Sequence, residues 1–122
     1  MLFIGYPKCS TSNKAKKWLN DNKVTYDMRN IKDQNPSFAE LKKWLNVSDL
    51  DIKKFFNTSG KLYRDQGIKD IIKSASIDEL LLILSTDGMM VKRPLLIGND
   101  FVLVGFKEEV WKSMLLKKFN KI

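Results

Sequence analysis

The chain carries one cysteine, Cys9, and no histidine in 122 residues. A single cysteine closes no intramolecular disulfide, which excludes a disulfide-stapled secreted scaffold. With one thiol and no imidazole, the donor set of a structural zinc site is missing. Long hydrophobic runs are missing as well. LLLIL at 80–84 is the longest candidate, and a membrane helix needs ~20 apolar residues. The N-terminal MLFIGYPKCS has no basic stretch before its apolar run, so it does not read as a secretory signal. These absences lead us to expect a cytoplasmic monomer with no membrane contact, no metal and no bound cofactor.

Acidic residues are also in short supply: 14 Asp and Glu stand against 22 Lys and Arg, a net charge of +8. Such an excess admits nucleic acid, an anionic substrate or an acidic protein partner. The lysines, however, fall in pairs (16–17, 42–43, 53–54, 117–118) and never in a block of five. Scattered pairs are the pattern of solvated helix faces. No helix-turn-helix, RNA-binding or zinc pattern accompanies them, so direct nucleic-acid binding is not expected.

What is present reads as an α/β domain. MLFIGY is a short apolar run closed by Pro7, a buried strand. CSTSNKAKKWLNDNK follows, with capping residue types at 10–12 and Ala15, Trp18 and Leu19 at helical spacing. VTYDMRNI is β-rich. The first 31 residues are therefore expected to form a right-handed β-α-β unit with parallel strands.

The middle is helical. Pro36 and Ser37 open SFAELKKWLNV, LDIKKFFN is a shorter helix, and TSGKLYRDQG reads as a loop. IKDIIKS and IDELLLILS follow, the latter with Ser76 as N-cap. RPLLIG and FVLVGF then flank GND at 98–100, the signal of an antiparallel hairpin. KEEVWKSMLLKKFNKI closes the chain as a helix carrying Val110, Trp111, Met114, Leu115 and Phe119. Trp18, Phe38, Trp44, Trp111 and Phe119 are expected to pack in the core. The order β-α-β, helical insertion, β-β-α predicts one thioredoxin-like domain over 1–122. Its four-stranded mixed sheet carries an insertion at about 36–86.

YPKCSTSNKA after the first strand, RNI closing the second, GKLYRDQGIKD in the insertion, and KRPLLIG with VLVGF near the end together resemble the arsenate reductase ArsC / Spx family. The resemblance runs in order over essentially the whole chain. It implies a thioredoxin-like core with Cys9 as the reactive residue, Arg93 as an oxyanion-binding arginine, and a cis Pro94 facing the thiol. It implies two further arginines, but Asn57 stands where one belongs and VGFKEE supplies no other.

The residues around Cys9 carry their own chemical argument. Only a thiolate is a nucleophile, and an ordinary thiol is little ionised at neutral pH. A helix N-terminus favours the anion through its free N–H groups and dipole. Ser10, Thr11 and Ser12 offer hydroxyls, and Lys8 and Lys14 add positive charge. These five, with Pro94, are the candidate substrate-binding residues beside the catalytic candidates Cys9 and Arg93. The competing role for Cys9 is a small buried hydrophobe, which its polar neighbours and its place between strand and helix argue against. Tyr6 and Tyr63 are candidates to border the thiol.

The second position of a C-x-x-C motif is Ser12, so redox cycling must pass through a mixed disulfide with an external thiol. A low-molecular-weight thiol or a glutaredoxin-like protein is the expected reductant. Five residues beyond Cys9 the next position is Ala15, so a Cys-x5-Arg oxyanion loop is absent. The leading reading is a thiol-dependent, arsenate reductase-like oxidoreductase. The alternative that the resemblance offers is a Spx-like regulator docking on RNA polymerase, without a two-cysteine switch.

Overall fold

The computed structural model describes residues 1–119, with side chains through Leu116. The packing expected of Phe119 lies outside the described residues. Four strands form one sheet in the order β2-β1-β3-β4: β1 (Leu2–Gly5), β2 (Asp27–Asn30), β3 (Leu95–Ile97) and β4 (Val102–Val104). β1 pairs parallel with β2, and antiparallel with β3 in the register Leu2↔Ile97 and Ile4↔Leu95. β3 and β4 form the expected hairpin, closed by Gly98 N–H donating to the Phe101 carbonyl at 2.9 Å.

Alternation along the strands assigns the two faces. Phe3, Leu96 and Leu103 point to one side, where Ala15 and Leu19 of α1 (Ser10–Asp21) and Trp111 and Leu115 of α6 (Glu108–Phe119) cover them. Ile4, Leu95 and Val102 point to the other side, against the insertion. The insertion supplies Leu41 and Trp44 from α2 (Phe38–Ser48) and Leu80, Leu81 and Leu84 from α5 (Ile77–Ser85). It packs with that face of the sheet in one cluster. Trp44 and Trp111 are buried, and Trp18 and Phe38 are half-buried against the two cores.

Local signals set the helix limits. Ser76 Oγ accepts from the Glu79 N–H at 3.1 Å, the expected cap of α5. At the end of α1, Lys23 at φ +57° turns the chain and the Val24 N–H closes on the Leu19 carbonyl at 3.0 Å. That turn sends Val24 into the core, so β2 begins only at Asp27, later than the VTYDMRNI pattern suggests.

Two further readings are corrected. LDIKKFFN yields one 3₁₀ turn, Ile52–Phe55, capped by Asp51. The stretch read as a loop contains a helix, α3 (Lys61–Asp65), which Gly67 at φ +62° separates from α4 (Ile68–Ile71). Leu62 and Tyr63 pack from α3 onto the insertion core, an apolar contribution too short to show a helical period.

One ion pair ties the sheet to the insertion. Arg29 of β2 grips Glu40 of α2 through two bonds, Nη1 to Oε2 at 2.7 Å and Nη2 to Oε1 at 2.9 Å. The same guanidinium donates to the Gln34 and Asn35 carbonyls. Glu40 also accepts from the Ser37 N–H, completing a capping box. The Arg29 guanidinium, with the Ser37 donors, outweighs partial burial and holds the Glu40 carboxyl at about 2.

A carboxyl depressed in the folded state contributes stability above its unfolded pKa and loses it as pH falls. Glu40→Gln is expected to lower unfolding free energy near neutral pH by about 1 kcal/mol, a value discounted for a carboxylate that solvent partly screens. The gap between wild type and variant should close as pH falls from roughly 4.3, the free glutamate value, towards about 2. Chemical denaturation followed by circular dichroism across that window checks both size and sign.

Candidate active site

Cys9 is the N-cap of α1, with extended backbone at φ −100° and ψ 118°. Its N–H donates to the Tyr6 carbonyl at 2.9 Å, and its carbonyl accepts from the Asn13 N–H at 3.1 Å. The thiol is half-buried at the end of β1, where the first turn of α1 presents its free N–H groups. Gly5 permits this approach, since a Cβ there would crowd the Phe3 ring at 2.7 Å and Ser12 Cβ at 3.3 Å.

Partial burial pushes the Cys9 thiol up. The Ser12 N–H, the Ser12 hydroxyl and the charge and donors of Arg93 together outweigh it, so the thiol lies below its ordinary value. Ser12, 2% exposed, is the buried polar residue beneath the thiol, and its Oγ also accepts from the Tyr6 N–H at 3.2 Å.

Arg93 comes from the far half of the chain, two residues before β3. The Arg93–Pro94 peptide bond is cis, as the resemblance implies, and Pro94 is buried. The guanidinium lies over the Tyr6 ring, 5.4 Å from its centroid. Its Nε and Nη1 are shielded from solvent and have no hydrogen-bond partner among the described residues. Buried donors are ordinarily paired, and two idle nitrogens of a guanidinium are charge-assisted donors of the kind that bind anions.

These residues border a cleft of about 320 Å³. Cys9, Thr11 and Arg93 line it, joined by Asn57, Ser59, Lys92, Gly105, Phe106 and Lys107. Lys8, Ser10 and Lys14 are exposed and lie outside this lining, while Ser12 sits beneath the thiol. Neighbours of Cys9 along the first turn of a helix point in different directions, and only Thr11 faces the cleft.

Asn57 is at the cleft wall, and its Nδ2 donates to the Met89 carbonyl at 3.3 Å. Tyr6 borders Arg93, whereas Tyr63 stacks on Phe56 at 6.2 Å. Lys107 and Ser59 join the site without a motif to mark them, and Lys92, the first residue of KRPLLIG, joins it without having been singled out. Both lysines have a signal in the sequence, because they adjoin β3 and β4 at the strand ends that the hairpin brings to the side of Cys9.

Gly105 shapes this side of the cleft. Its φ is +73°, its N–H donates to the Pro94 carbonyl at 2.8 Å, and its carbonyl accepts from Trp111 Nε1 at 3.1 Å. A Cβ would press on Lys92 Cε at 2.9 Å. The Trp111 ring, stacked edge-on with Phe106 at 5.0 Å, thus fixes the backbone that carries Lys107 to the thiol. Among the described residues no group of His, Cys, Asp and Glu is placed to hold a metal ion, and no helix is long and apolar enough to cross a membrane.

A mixed four-stranded sheet with a cysteine at the N-terminus of its first helix defines a thioredoxin-like protein. Within that class, a model of the ArsC family matches residues 4–114, and the chain belongs to the ArsC family. YusI of Bacillus subtilis is 47% identical over 113 residues, covering 93% of this chain and 96% of the relative. The global transcriptional regulator Spx of Streptococcus mutans is 27% identical over 120 residues, covering 98% of this chain and 85% of the regulator. An ArsC family related protein from Bacteroides fragilis superimposes with a TM-score of 0.90 at 47% identity, covering 93% of this chain and 95% of that one. Arsenate reductase from Vibrio cholerae has a TM-score of 0.78 at 19% identity, covering 95% and 94%, and shares the fold.

Removing Arg93 takes away two of the influences that hold the thiol down against burial. Arg93→Ala is expected to raise the Cys9 pKa and to slow alkylation by iodoacetamide near neutral pH, roughly tenfold for each pH unit by which the thiol's midpoint rises. Ser12→Ala removes the hydroxyl but keeps the amide donor, so its effect should be smaller and in the same direction. Alkylation rates measured across pH on both variants check the order.

Proposed function

We propose that the protein is a single-thiol oxidoreductase acting by thiol–disulfide exchange at Cys9. The observation that supports it is the pairing of a lowered Cys9 thiol with two buried, unpartnered donors of Arg93. In the first step the Cys9 thiolate attacks one sulfur of a disulfide. That S–S bond breaks, a Cys9 mixed disulfide forms, and the departing sulfur leaves with the electron pair as a thiolate. In the second step an external thiolate attacks the substrate-derived sulfur of the mixed disulfide and returns Cys9 as thiolate. The resolving thiol must be external, since Ser12 stands where a second cysteine would act. A low-molecular-weight thiol or a glutaredoxin-like protein fills that role, and no resident cofactor takes part.

Arg93 steadies the anionic groups of the incoming partner through charge-assisted hydrogen bonds. Arsenate is the other oxidised substrate that family membership brings forward. Its oxyanion would meet one guanidinium and the lysines 92 and 107, which act as point charges rather than forks. With Asn57 in the wall, the site is better matched to disulfide exchange.

A second reading follows from the similarity to Spx over 98% of the chain: a transcriptional regulator docking on RNA polymerase. That role would tolerate the loss of Cys9, which separates it from the enzymatic one.

A turnover assay coupled to a small thiol, run with a mixed-disulfide substrate and with arsenate, tests the proposal. Wild type is expected to turn over the disulfide faster than arsenate, and Cys9→Ser to fall to background. Arg93→Ala should lose roughly ten- to a hundredfold, the worth of one charge-assisted hydrogen bond. A Cys9→Ser variant that keeps full turnover would refute it. Retention of RNA polymerase from extract by both wild type and Cys9→Ser would favour the regulator.

A further inference from the structure

A second depression of about 410 Å³ lies between the end of α2, the edge strand β4 and the first turns of α6. It adjoins the thiol cleft: Lys92, Val104, Gly105 and Lys107 border both. Its apolar floor is unusual for a surface. Val47, Leu50 and Val110 line it and are 38%, 40% and 47% exposed. Its rim carries Lys54, Lys92 and Lys107 against one acid, Asp100, near the hairpin turn.

The register of the hairpin adds a backbone feature. Gly98–Phe101 and Pro94–Gly105 are hydrogen-bonded pairs. The alternation of an antiparallel ladder then makes Leu95–Val104 a non-bonded pair. The N–H and C=O of Val104 therefore point away from β3, at the free edge of the sheet where cleft and groove meet.

We propose that this groove seats a polypeptide partner of Cys9: an extended, cysteine-bearing segment with an apolar residue for the floor and acidic residues for the lysines. The proposal rests on the thiol-exchange reading and names its partner class. The argument is continuity and charge. A partner sulfur bound to Cys9 directs the flanking residues towards Lys92 and Lys107, and the continuous path from there runs over Val104 into an apolar groove of positive rim. A small thiol would fill the cleft and leave the groove uncovered. Exchange keeps electrons balanced: the partner's S–S bond breaks, the Cys9–S–S–peptide bond forms, and the displaced thiolate carries away the electron pair.

The test uses synthetic peptides whose single cysteine is capped as a mixed disulfide with thionitrobenzoate, release of which is coloured. One peptide flanks the cysteine with leucine and glutamates, a second replaces the glutamates by lysines, and capped free cysteine is the small reference. Wild type is expected to react roughly tenfold faster with the acidic than with the basic peptide at low salt, and the advantage should shrink as salt rises. Lys54→Glu and Val110→Asp, both at exposed positions outside the thiol cleft, should each remove several-fold of that advantage while leaving the rate with capped free cysteine unchanged.

If both variants keep the wild-type preference, or the wild type shows none, the docking groove is overturned and the Cys9 chemistry stands. Loss of the small-disulfide rate in both variants would assign these residues to support of the thiol and would also overturn docking. If wild type reacts with capped free cysteine no faster than an unperturbed thiol, the exchange reading fails and the groove proposal with it.

Discussion

The antiparallel pairing of β1 with β3 is the constraint on which the site depends. Ile4 opposite Leu95 places the end of β1 beside the beginning of β3. Cys9 follows the first and Arg93 precedes the second, so residues from opposite ends of the sequence meet at one edge of the sheet. β4 runs antiparallel to β3 and so ends at the same edge, which brings Gly105 and Lys107 to the cleft. The insertion joins through the bridge between Phe56 and Val91, which sets Asn57 beside the residues preceding β3. A one-residue slip of β3 would exchange its buried faces, moving Leu95 and Leu96 out of their respective cores. The two cores that clamp the sheet therefore also hold the thiol against its arginine.

The electrostatics of Cys9 are a contest between burial and donors. Burial alone would make the thiol less acidic and less reactive. The helix N-terminus, Ser12 and Arg93 reverse that outcome. Of these, only Arg93 is supplied by a different half of the fold, and it is also the group left with idle buried nitrogens. The same guanidinium thus lowers the thiol and keeps two donors without a partner among the described residues. Lys92 and Lys107 extend the positive field along the mouth of the cleft, where a point charge attracts anions without fixing their orientation.

Much of this is legible in the sequence, for identifiable reasons. The strands β1, β3 and β4 are apolar on both faces because helices cover both sides, and such runs stand out. Ser76 before Asp78 and Glu79 marks a helix start through local chemistry alone. Cys9 stands out because strand, capping residues and helical period converge there. α3 escapes a reading by pattern because a helix of five residues carries no period. Lys8, in the turn before α1, and Ser10 and Lys14 on it are near Cys9 in sequence, yet all three lie outside the cleft lining. Lys92 and Lys107 enter through strand register, a three-dimensional fact that composition does not contain. Ser59 owes its place to the turn after Asn57, which no apolar pattern announces.

Together with Ser12, Arg93 holds the Cys9 thiol below its ordinary value against the opposing effect of burial. Direct titration of the thiolate by its ultraviolet absorbance, in wild type with Cys9→Ser as blank and repeated in Arg93→Met, tests it most simply. The wild-type midpoint is expected below that of a free cysteine, about 8.5, with an upward move in Arg93→Met. A wild-type midpoint at or above that value, or one that Arg93→Met leaves in place, would contradict it.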